Sequence, residues 1–318
     1  MQALSLPPQS YELPDQVLRF AQGEQQAGRR VALTVVTGLS GGSMRRVGSL
    51  AAISETGAMA GYVSNGCIDA DIAMQAVESL GVGRPMALRY GAGSPFVDLR
   101  LPCGGSVDLL VVPDPDPSVL RAALGALDSR RTVSLSFDET EGVRIAQASE
   151  SQTYTYAPAL RLLAAGRGPA LLSVVQHARA SDMAVGYASP DQAEHAGLEE
   201  LGATRAFELI SPRAPITLEA DSWTAILLLF HDHDWEAPIL RAAVATKAPY
   251  IGCLGSARTQ AARRLTLEAD GMAHTDIARI RGPIGLIPSA RSAHDLAISV
   301  LAEIRQCTRP HADHAKAA

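Results

Sequence analysis

The second half of the chain alternates short apolar segments with longer helical stretches, and this alternation restricts the fold more than any other feature. After the first apolar segment, Leu160–Ala165, a helical stretch extends to about Ser181. Further helical stretches cover Glu236–Lys247 and the residues from Ala257 onwards. Strands that alternate with such helices indicate βαβ units and a parallel sheet. The predicted strands are Leu160–Ala165, Met183–Ala188, Trp223–Phe230 and Tyr250–Leu254.

The first half has a different pattern, which predicts a mixed α/β domain. Further strands and helices follow the helix Asp15–Gln26 and the strand Val31–Thr37. The strands Ser49–Ser54 and Ala58–Ser64 are joined by a turn, and a helix is predicted over Ile68–Leu80. Residues 139–160 are polar and lose this periodicity. We therefore predict an N-terminal domain over 1–145, a linker over 146–158 and a C-terminal domain over 159–318.

Composition excludes several classes of protein. The 318 residues carry a net charge of −5, so binding driven by nucleic-acid phosphates is not expected. The longest apolar stretch, Ala225–Phe230, is too short to span a bilayer, and the first residues lack a signal-peptide pattern. The four cysteines form no CxxC pair, which argues against a structural zinc site. We expect a cytoplasmic protein with reduced thiols, without nucleic acid or membrane as partners.

Two of the cysteines are flanked by glycine. Gly66 precedes Cys67 at the start of a predicted helix, whose first-turn residue Asp69 suits the helix dipole. Cys103 is followed by Gly104 and Gly105, just before a predicted strand over Val107–Val112. A lone cysteine is either an accessible soft ligand or a small buried side chain, and both readings remain open.

A third segment of the first half suits an anion. The loop Gly38–Ser49 contains four glycines and three serines around two arginines, among them Ser43 and Arg45. Exposed backbone N–H groups together with positive charge can bind an anion. The alternative is a plain hairpin connection.

In the second half, GRGPAL over 166–171 has the first two glycines of a dinucleotide-binding GxGxxG pattern. Leu171 takes the place of the third glycine, and no acidic residue ends the next strand cleanly. A standard NAD site is therefore poorly supported. We expect a Rossmann-like domain with lost or altered nucleotide binding.

Two further segments follow predicted strands, at the edge where open parallel sheets place ligands. His231, Asp232 and His233 suit a binding cleft or a metal, and the alternative is a helix N-cap at Asp234 with exposed histidines. Beyond the next strand come Gly255, Ser256 and Arg258, with Arg263 and Arg264 further along the helix. These suit a phosphate, or else an exposed basic helix with a serine N-cap. Cys253 is predicted to be a small buried residue.

Taken in order, the motifs resemble the XdhC/CoxI family of accessory proteins for molybdenum hydroxylases. The matching segments are GGSMRRVGS, GYVSNGCIDADI, LPCGGSVDLLVVP, GRGP, HDHDWEAPIL, APYIGCLGS and RIRGPIGL. This chain departs from the family's usual residues at Gly42, Met44, Asn65 and Asp69.

The resemblance implies a chaperone rather than a turnover enzyme. Its cargo would be the molybdenum–pterin cofactor, as molybdopterin or as its cytosine dinucleotide. The chaperone would support sulfuration of this cofactor and deliver it to an apo molybdenum hydroxylase of xanthine dehydrogenase or aldehyde oxidoreductase type. A cysteine desulfurase partner and a homodimer are also implied. Cys67 and Cys103 would contact the cofactor's molybdenum or sulfur, and we predict that their sulfurs share one cleft with the loop of Arg45. The alternatives are an NAD(P)-dependent oxidoreductase and a scaffold without cofactor contact.

Overall fold

The computed structural model describes residues 13–41, 45–64, 66–94, 104–146, 152–231 and 233–308. The chain divides into two compact units, Met1–Pro158 and Ala159–Ala318. Three predicted site residues, Ser43, Cys103 and Asp232, lie outside the described residues. No helix in the described ranges is both long and apolar enough to cross a membrane.

The N-terminal unit contains one five-stranded and one three-stranded antiparallel sheet. The strand orders are β3-β2-β1-β5-β4 and β7-β6-β8. In chain order, its elements are α1 (Pro14–Gln26), β1 (Val31–Ser40), β2 (Leu50–Ser54), β3 (Met59–Ala60), α2 (Asp69–Val82), β4 (Met86–Gly91), β5 (Ser106–Pro113), α3 (Pro117–Asp128), β6 (Val133–Asp138), β7 (Gly142–Ile145) and β8 (Thr153–Tyr156).

Strand β1 is apolar because both faces of its sheet are covered. Val31, Leu33 and Val35 pack with residues of α1 and α3. Ala32 and Val36 point to the other face, where they pack with residues of α2. The period of two in a strand thus supplies two cores from one continuous apolar run.

Part of the predicted linker over 146–158 is a strand instead. Residues 153–156 form β8, which pairs with β6. The alternation of threonine and tyrosine gives this strand one buried end, Tyr156, although its composition is polar. Sequence periodicity over four residues was too short to reveal the strand among polar neighbours.

The C-terminal unit has a six-stranded, all-parallel sheet in the order β11-β10-β9-β12-β13-β14. The predicted α/β class with a C-terminal Rossmann-like domain is therefore confirmed. Its elements are β9 (Arg161–Gly166), α4 (Gly168–Ala180), β10 (Ala184–Ala188), α5 (His195–Glu200), β11 (Thr204–Arg205), β12 (Thr224–Leu229), α6 (Glu236–Val244), β13 (Tyr250–Cys253), α7 (Ala257–Ala269), α8 (His274–Ile277), β14 (Ile280–Arg281) and α9 (Ala293–Thr308).

The strand order reverses between β9 and β12, the first and fourth strands of this unit. Open α/β sheets bind ligands at such a switch point, beyond the carboxyl ends of the strands. The two strands approach closely at Gly166, where a Cβ atom would lie 2.7 Å from the Leu229 carbonyl oxygen. Glycine is therefore needed here for packing between strands.

Candidate functional site

Strand pairing brings three glycine-containing segments to one end of the five-stranded sheet. Ser40, the last residue of β1, lies opposite Ser106, the first of β5. The chain leaves β3 at the same end, because Gly61 lies against the Leu50 carbonyl. We call this region the loop end. It carries the loop between β1 and β2, the segment 61–68 and the residues just before β5.

Gly105 fixes the residues before β5 against the start of the glycine- and serine-rich loop. A Cβ atom at position 105 would lie 2.1 Å from the carbonyl oxygen of Ser40, a contact that no other residue tolerates. Gly104 is exposed and has a φ of 68°, which favours glycine. The backbone next to Cys103 therefore lies at the loop end.

Asp69 organises the segment that carries the other glycine-flanked cysteine. Its buried carboxylate accepts hydrogen bonds from the backbone N–H groups of Val63, Ser64 and Gly66 and from the Ser64 hydroxyl. Such a set of donors satisfies a buried charge. Cys67 lies between this loop and α2, and it is exposed to solvent.

An arginine–aromatic contact joins two of the three segments. The guanidinium of Arg45 lies over the ring of Tyr62, at 5.9 Å from the ring centroid. Cation–π contacts of this kind occur within about 6 Å. Tyr62 belongs to the segment that leads to Cys67, so Arg45 approaches that segment from the loop between β1 and β2.

The predicted N-terminal site residues are thus distributed over neighbouring segments of one sheet end. Gly66, Cys67, Arg45, Gly104 and Gly105 all belong to these segments. Ser43 and Cys103 belong to them in sequence but lie outside the described residues. The shared cleft for the two cysteine sulfurs stays a prediction.

In the C-terminal unit, His231 and the short turn that follows it lie beyond the carboxyl end of β12. His231 is exposed, and His233 begins a 3₁₀ turn, His233–Trp235, directly before α6. The alternative N-cap at Asp234 is wrong, because Trp235 is the residue before α6. Among the described side chains, no cluster of three or more His, Cys, Asp or Glu residues suits a metal ion.

Beyond β13, the predicted serine N-cap is present. The Ser256 hydroxyl accepts a hydrogen bond from the Thr259 N–H, and the Gly255 φ of 143° sets the turn before α7. Arg258 in the first turn of α7 is exposed. Cys253 is buried as predicted, and burial raises the pKa of its thiol to about 12.

Arg263 is not part of an exposed basic face, contrary to the predicted basic helix. Its guanidinium is buried and donates to both carboxylate oxygens of Glu236, at 2.7 and 2.8 Å. It also donates to the Leu254 carbonyl. Arg263 therefore connects α7 to the start of α6 and to the turn after β13, and four of its five N–H donors are used within the chain.

The role of Glu194 was not predicted from the sequence. Its side chain reaches from the 3₁₀ turn Gln192–Glu194 to the N-terminus of α4. One of its carboxylate oxygens accepts a hydrogen bond from the Gly168 N–H. The other accepts a hydrogen bond from the Ser189 hydroxyl, at 2.8 Å. In dinucleotide-binding domains, the pyrophosphate accepts hydrogen bonds from backbone N–H groups at the N-terminus of this helix. A carboxylate of the chain itself takes that place here. The only signal in the sequence was an acidic residue shortly after a predicted strand.

Comparison with known proteins matches both units to one family. Residues 24–91 match the model of the XdhC and CoxI family, and residues 162–304 match that of the XdhC Rossmann domain. The molybdenum cofactor insertion chaperone PaoD of Escherichia coli K12 is 34% identical over 297 residues, covering 91% of this chain and 86% of the relative. These findings define a two-domain protein with a Rossmann-type second domain.

The chain belongs to the XdhC and CoxI family. Its fold is also similar to a crystal structure from Bacillus halodurans that is described as a xanthine dehydrogenase. That similarity has a TM-score of 0.74 at 18% identity, and it covers 94% of this chain and 98% of the other. At this identity the similarity concerns the fold alone.

Proposed function

We propose that this chain binds the molybdenum–pterin cofactor as cargo and inserts it into an apo molybdenum hydroxylase. The observation that carries the proposal is the similarity to a molybdenum cofactor insertion chaperone over nine tenths of the chain. The function is that of a carrier, and no turnover reaction is required of it.

The loop end of the N-terminal sheet has the chemistry that such a cargo needs. An exposed thiol at Cys67 is a soft ligand that can approach molybdenum or a cofactor sulfur. Cys103, which directly precedes Gly104 in the sequence, would add a second thiol. Two thiols from separate segments form no closed cage, and this suits a carrier that has to release its cargo.

The finer parts of the proposal follow from the same family. We propose that sulfuration of the cofactor takes place on this chain, with a cysteine desulfurase as sulfur donor. The client is a hydroxylase of xanthine dehydrogenase or aldehyde oxidoreductase type, and the cargo is molybdopterin or its cytosine dinucleotide. A cytoplasmic homodimer is the expected form. We also propose a second set of cofactor contacts on the C-terminal unit, by His231, Asp232, His233, Gly255, Ser256 and Arg258.

The oxidoreductase alternative has less support. Leu171 is fully buried in the core of the C-terminal unit, so its position in GRGPAL is a packing position. The Glu194 carboxylate accepts the Gly168 N–H that a pyrophosphate would need. Like charges would repel a dinucleotide from this place.

Client activation tests the proposal in cells that lack this gene and express an apo molybdenum hydroxylase. Restored wild-type chain should raise the client's activity and its molybdenum content together. Cys67→Ala and Cys103→Ala should each lower both, whereas Cys307→Ala, a partly buried cysteine at the end of α9, should not. Full activation by the double variant Cys67→Ala/Cys103→Ala would favour a scaffold without cofactor contact.

A further inference from the structure

The N-terminal unit contains a cavity of about 590 Å³ that the proposed thiol contacts do not use. Its walls are the loop 45–50, Tyr62, the strand β8 with Ala157, and residues at the start of α1. Small-molecule sites commonly have volumes of about 300–1,000 Å³. This cavity therefore has the size of a binding site for one small molecule.

The walls of this cavity are positively charged. Among the described residues, they include Arg45 and Arg46 but no aspartate or glutamate. The N–H of Arg46 donates to the Ser49 hydroxyl, which folds the loop into a turn and leaves the Arg46 side chain exposed. Arginine presents planar donors that match the oxygens of a phosphate. The charge of the walls thus selects for an anion.

The same walls contain an unusual share of the chain's aromatic residues. The sequence has only seven tyrosines, and three of them, Tyr62, Tyr154 and Tyr156, line this one cavity. Tyr62 and Tyr154 are half-buried, so part of each ring is accessible, whereas Tyr156 is buried. Accessible tyrosine rings offer apolar faces on which a planar heterocycle can stack.

Strand β8 holds the arginine-bearing loop in place. The Tyr156 hydroxyl donates to the Gly48 carbonyl at 3.0 Å. Gly48 has a φ of 88°, and a Cβ atom there would lie 3.0 Å from the ring of Tyr154. Burial raises the pKa of Tyr154 and of Tyr156 above the usual range, and the Tyr156 phenol remains a neutral hydrogen-bond donor to Gly48. The loop is therefore arranged before any ligand binds.

We propose that this cavity takes the phosphate-bearing end of a planar heterocycle. Arg45 and Arg46 contact the phosphate, and the accessible rings of Tyr62 and Tyr154 contact the heterocycle. The identity of the heterocycle as a pterin rests on the proposed function, whereas the preference for an anion follows from the cavity walls. Because Arg45 also lies over Tyr62, the cavity adjoins the segment that leads to Cys67.

Fluorescence titration of the full-length protein with two pterins tests the proposal. One probe is the oxidised phosphorylated pterin that acid treatment releases from the cofactor, and the other is the same pterin after phosphatase treatment. The wild type should bind the phosphorylated form more tightly by about tenfold, because charge-assisted hydrogen bonds are lost with the phosphate. Arg46→Ala should remove this difference, and Arg46→Lys should keep part of it.

Two further variants complete the design. Arg84→Ala is the matched control, since Arg84 is exposed just before β4, at the opposite end of the same sheet. It should bind both pterins like the wild type. Tyr62→Leu should lower the affinity for both pterins by a similar factor, because stacking on the ring does not depend on the phosphate.

Failure of this assignment can be told apart from failure of the proposed function. Equal binding of both pterins by the wild type, binding of neither, or an Arg46→Ala variant that still discriminates between them would overturn the cavity assignment. The proposed function would be overturned if the wild type purified from cofactor-producing cells held no pterin and activated no client.

Discussion

Asp69 shows how much one carboxylate can determine. Its place in the first turn of α2 suggested an interaction with the helix dipole, but its side chain reaches backwards instead. It accepts four hydrogen bonds from the loop 63–66, next to Cys67. The position of the exposed thiol therefore depends on a buried carboxylate two residues further along.

Replacing Asp69 by asparagine should destabilise the N-terminal unit. The amide group of Asn would put a donor against N–H donors, and a hydrogen bond to a charged group contributes about 1.5–3 kcal/mol. Urea unfolding followed by circular dichroism should show a loss of about this size for Asp69→Asn. Hydrogen exchange should also become faster at residues 63–66.

The control for this variant is Asp128→Asn. Asp128 forms an exposed ion pair with Arg19, and such pairs contribute less than about 1 kcal/mol. An Asp69→Asn protein as stable as the Asp128→Asn protein would show that the Asp69 bonds are not needed.

The described cysteines should differ sharply in reactivity. Cys67 is exposed, whereas Cys253 is fully buried and its thiol pKa is raised to about 12 by burial. Since the thiolate is the reactive form, alkylation of the native protein should modify Cys67 first and leave Cys253 unmodified. Peptide mapping by mass spectrometry after a short pulse of iodoacetamide measures the order. Equal labelling of the two cysteines in native protein would contradict the described burial.

At the scale of elements, the buried pair of Glu236 and Arg263 connects α6 to α7. Arg263→Ala would leave a buried carboxylate without its partner, which costs about 3–5 kcal/mol. The neighbouring Arg264 is exposed, so Arg264→Ala should change stability by less than about 0.5 kcal/mol. Urea unfolding followed by tryptophan fluorescence reports on this region, because Trp235 directly precedes Glu236. Equal midpoints for the two variants would refute a structural role for the pair.

Most elements could be predicted from periodicity, and the misses have physical causes. The apolar runs of β1, β9, β12 and β13 were predicted to within a few residues, because strands buried on both faces are continuously hydrophobic. Strand β8 was not predicted, because its two tyrosines lie among polar residues and form no apolar run. Long-range side-chain bonds also escaped: neither the Glu194–Gly168 contact nor the Glu236–Arg263 pair leaves a local pattern in the sequence.

At the scale of the whole molecule, each unit has its own core, and buried or half-buried tyrosines occur in both. Burial is the largest cause of the raised pKa of Tyr90, Tyr154, Tyr156, Tyr187 and Tyr250. The folded chain therefore holds these protons more tightly than the unfolded chain. Their contribution to stability is fully present below the unfolded pKa of about 10, and it is lost as the pH rises above that value.

Alkaline destabilisation is the measurable consequence. The urea midpoint should fall between about pH 9 and about pH 11, and Tyr156→Phe should show a smaller fall than the wild type. Cys253 adds to the fall in both proteins, because its raised pKa has the same sign. A midpoint that does not change over this range would contradict the burial of these phenols.

The sequence indicated which segments of the N-terminal unit carry the candidate site residues, but not how these segments assemble. The glycine-flanked cysteines and the loop of Arg45 were recognisable as motifs. Their placement at one sheet end depends on strand order, and the tyrosine-lined cavity depends on β8, which no motif marked. Strand pairing, rather than local pattern, therefore brings these segments together.

If this chain itself carries molybdenum and pterin through its glycine-flanked cysteines, both components should be present in the purified protein, where they can be measured. The protein is isolated without oxygen from cells that make the cofactor, as wild type, as Cys67→Ala/Cys103→Ala and as the control Cys307→Ala. We predict that wild type and control retain molybdenum and pterin in equal amounts, and that the double variant loses most of both. A wild-type protein without either component, or a double variant that retains both in full, would contradict this account.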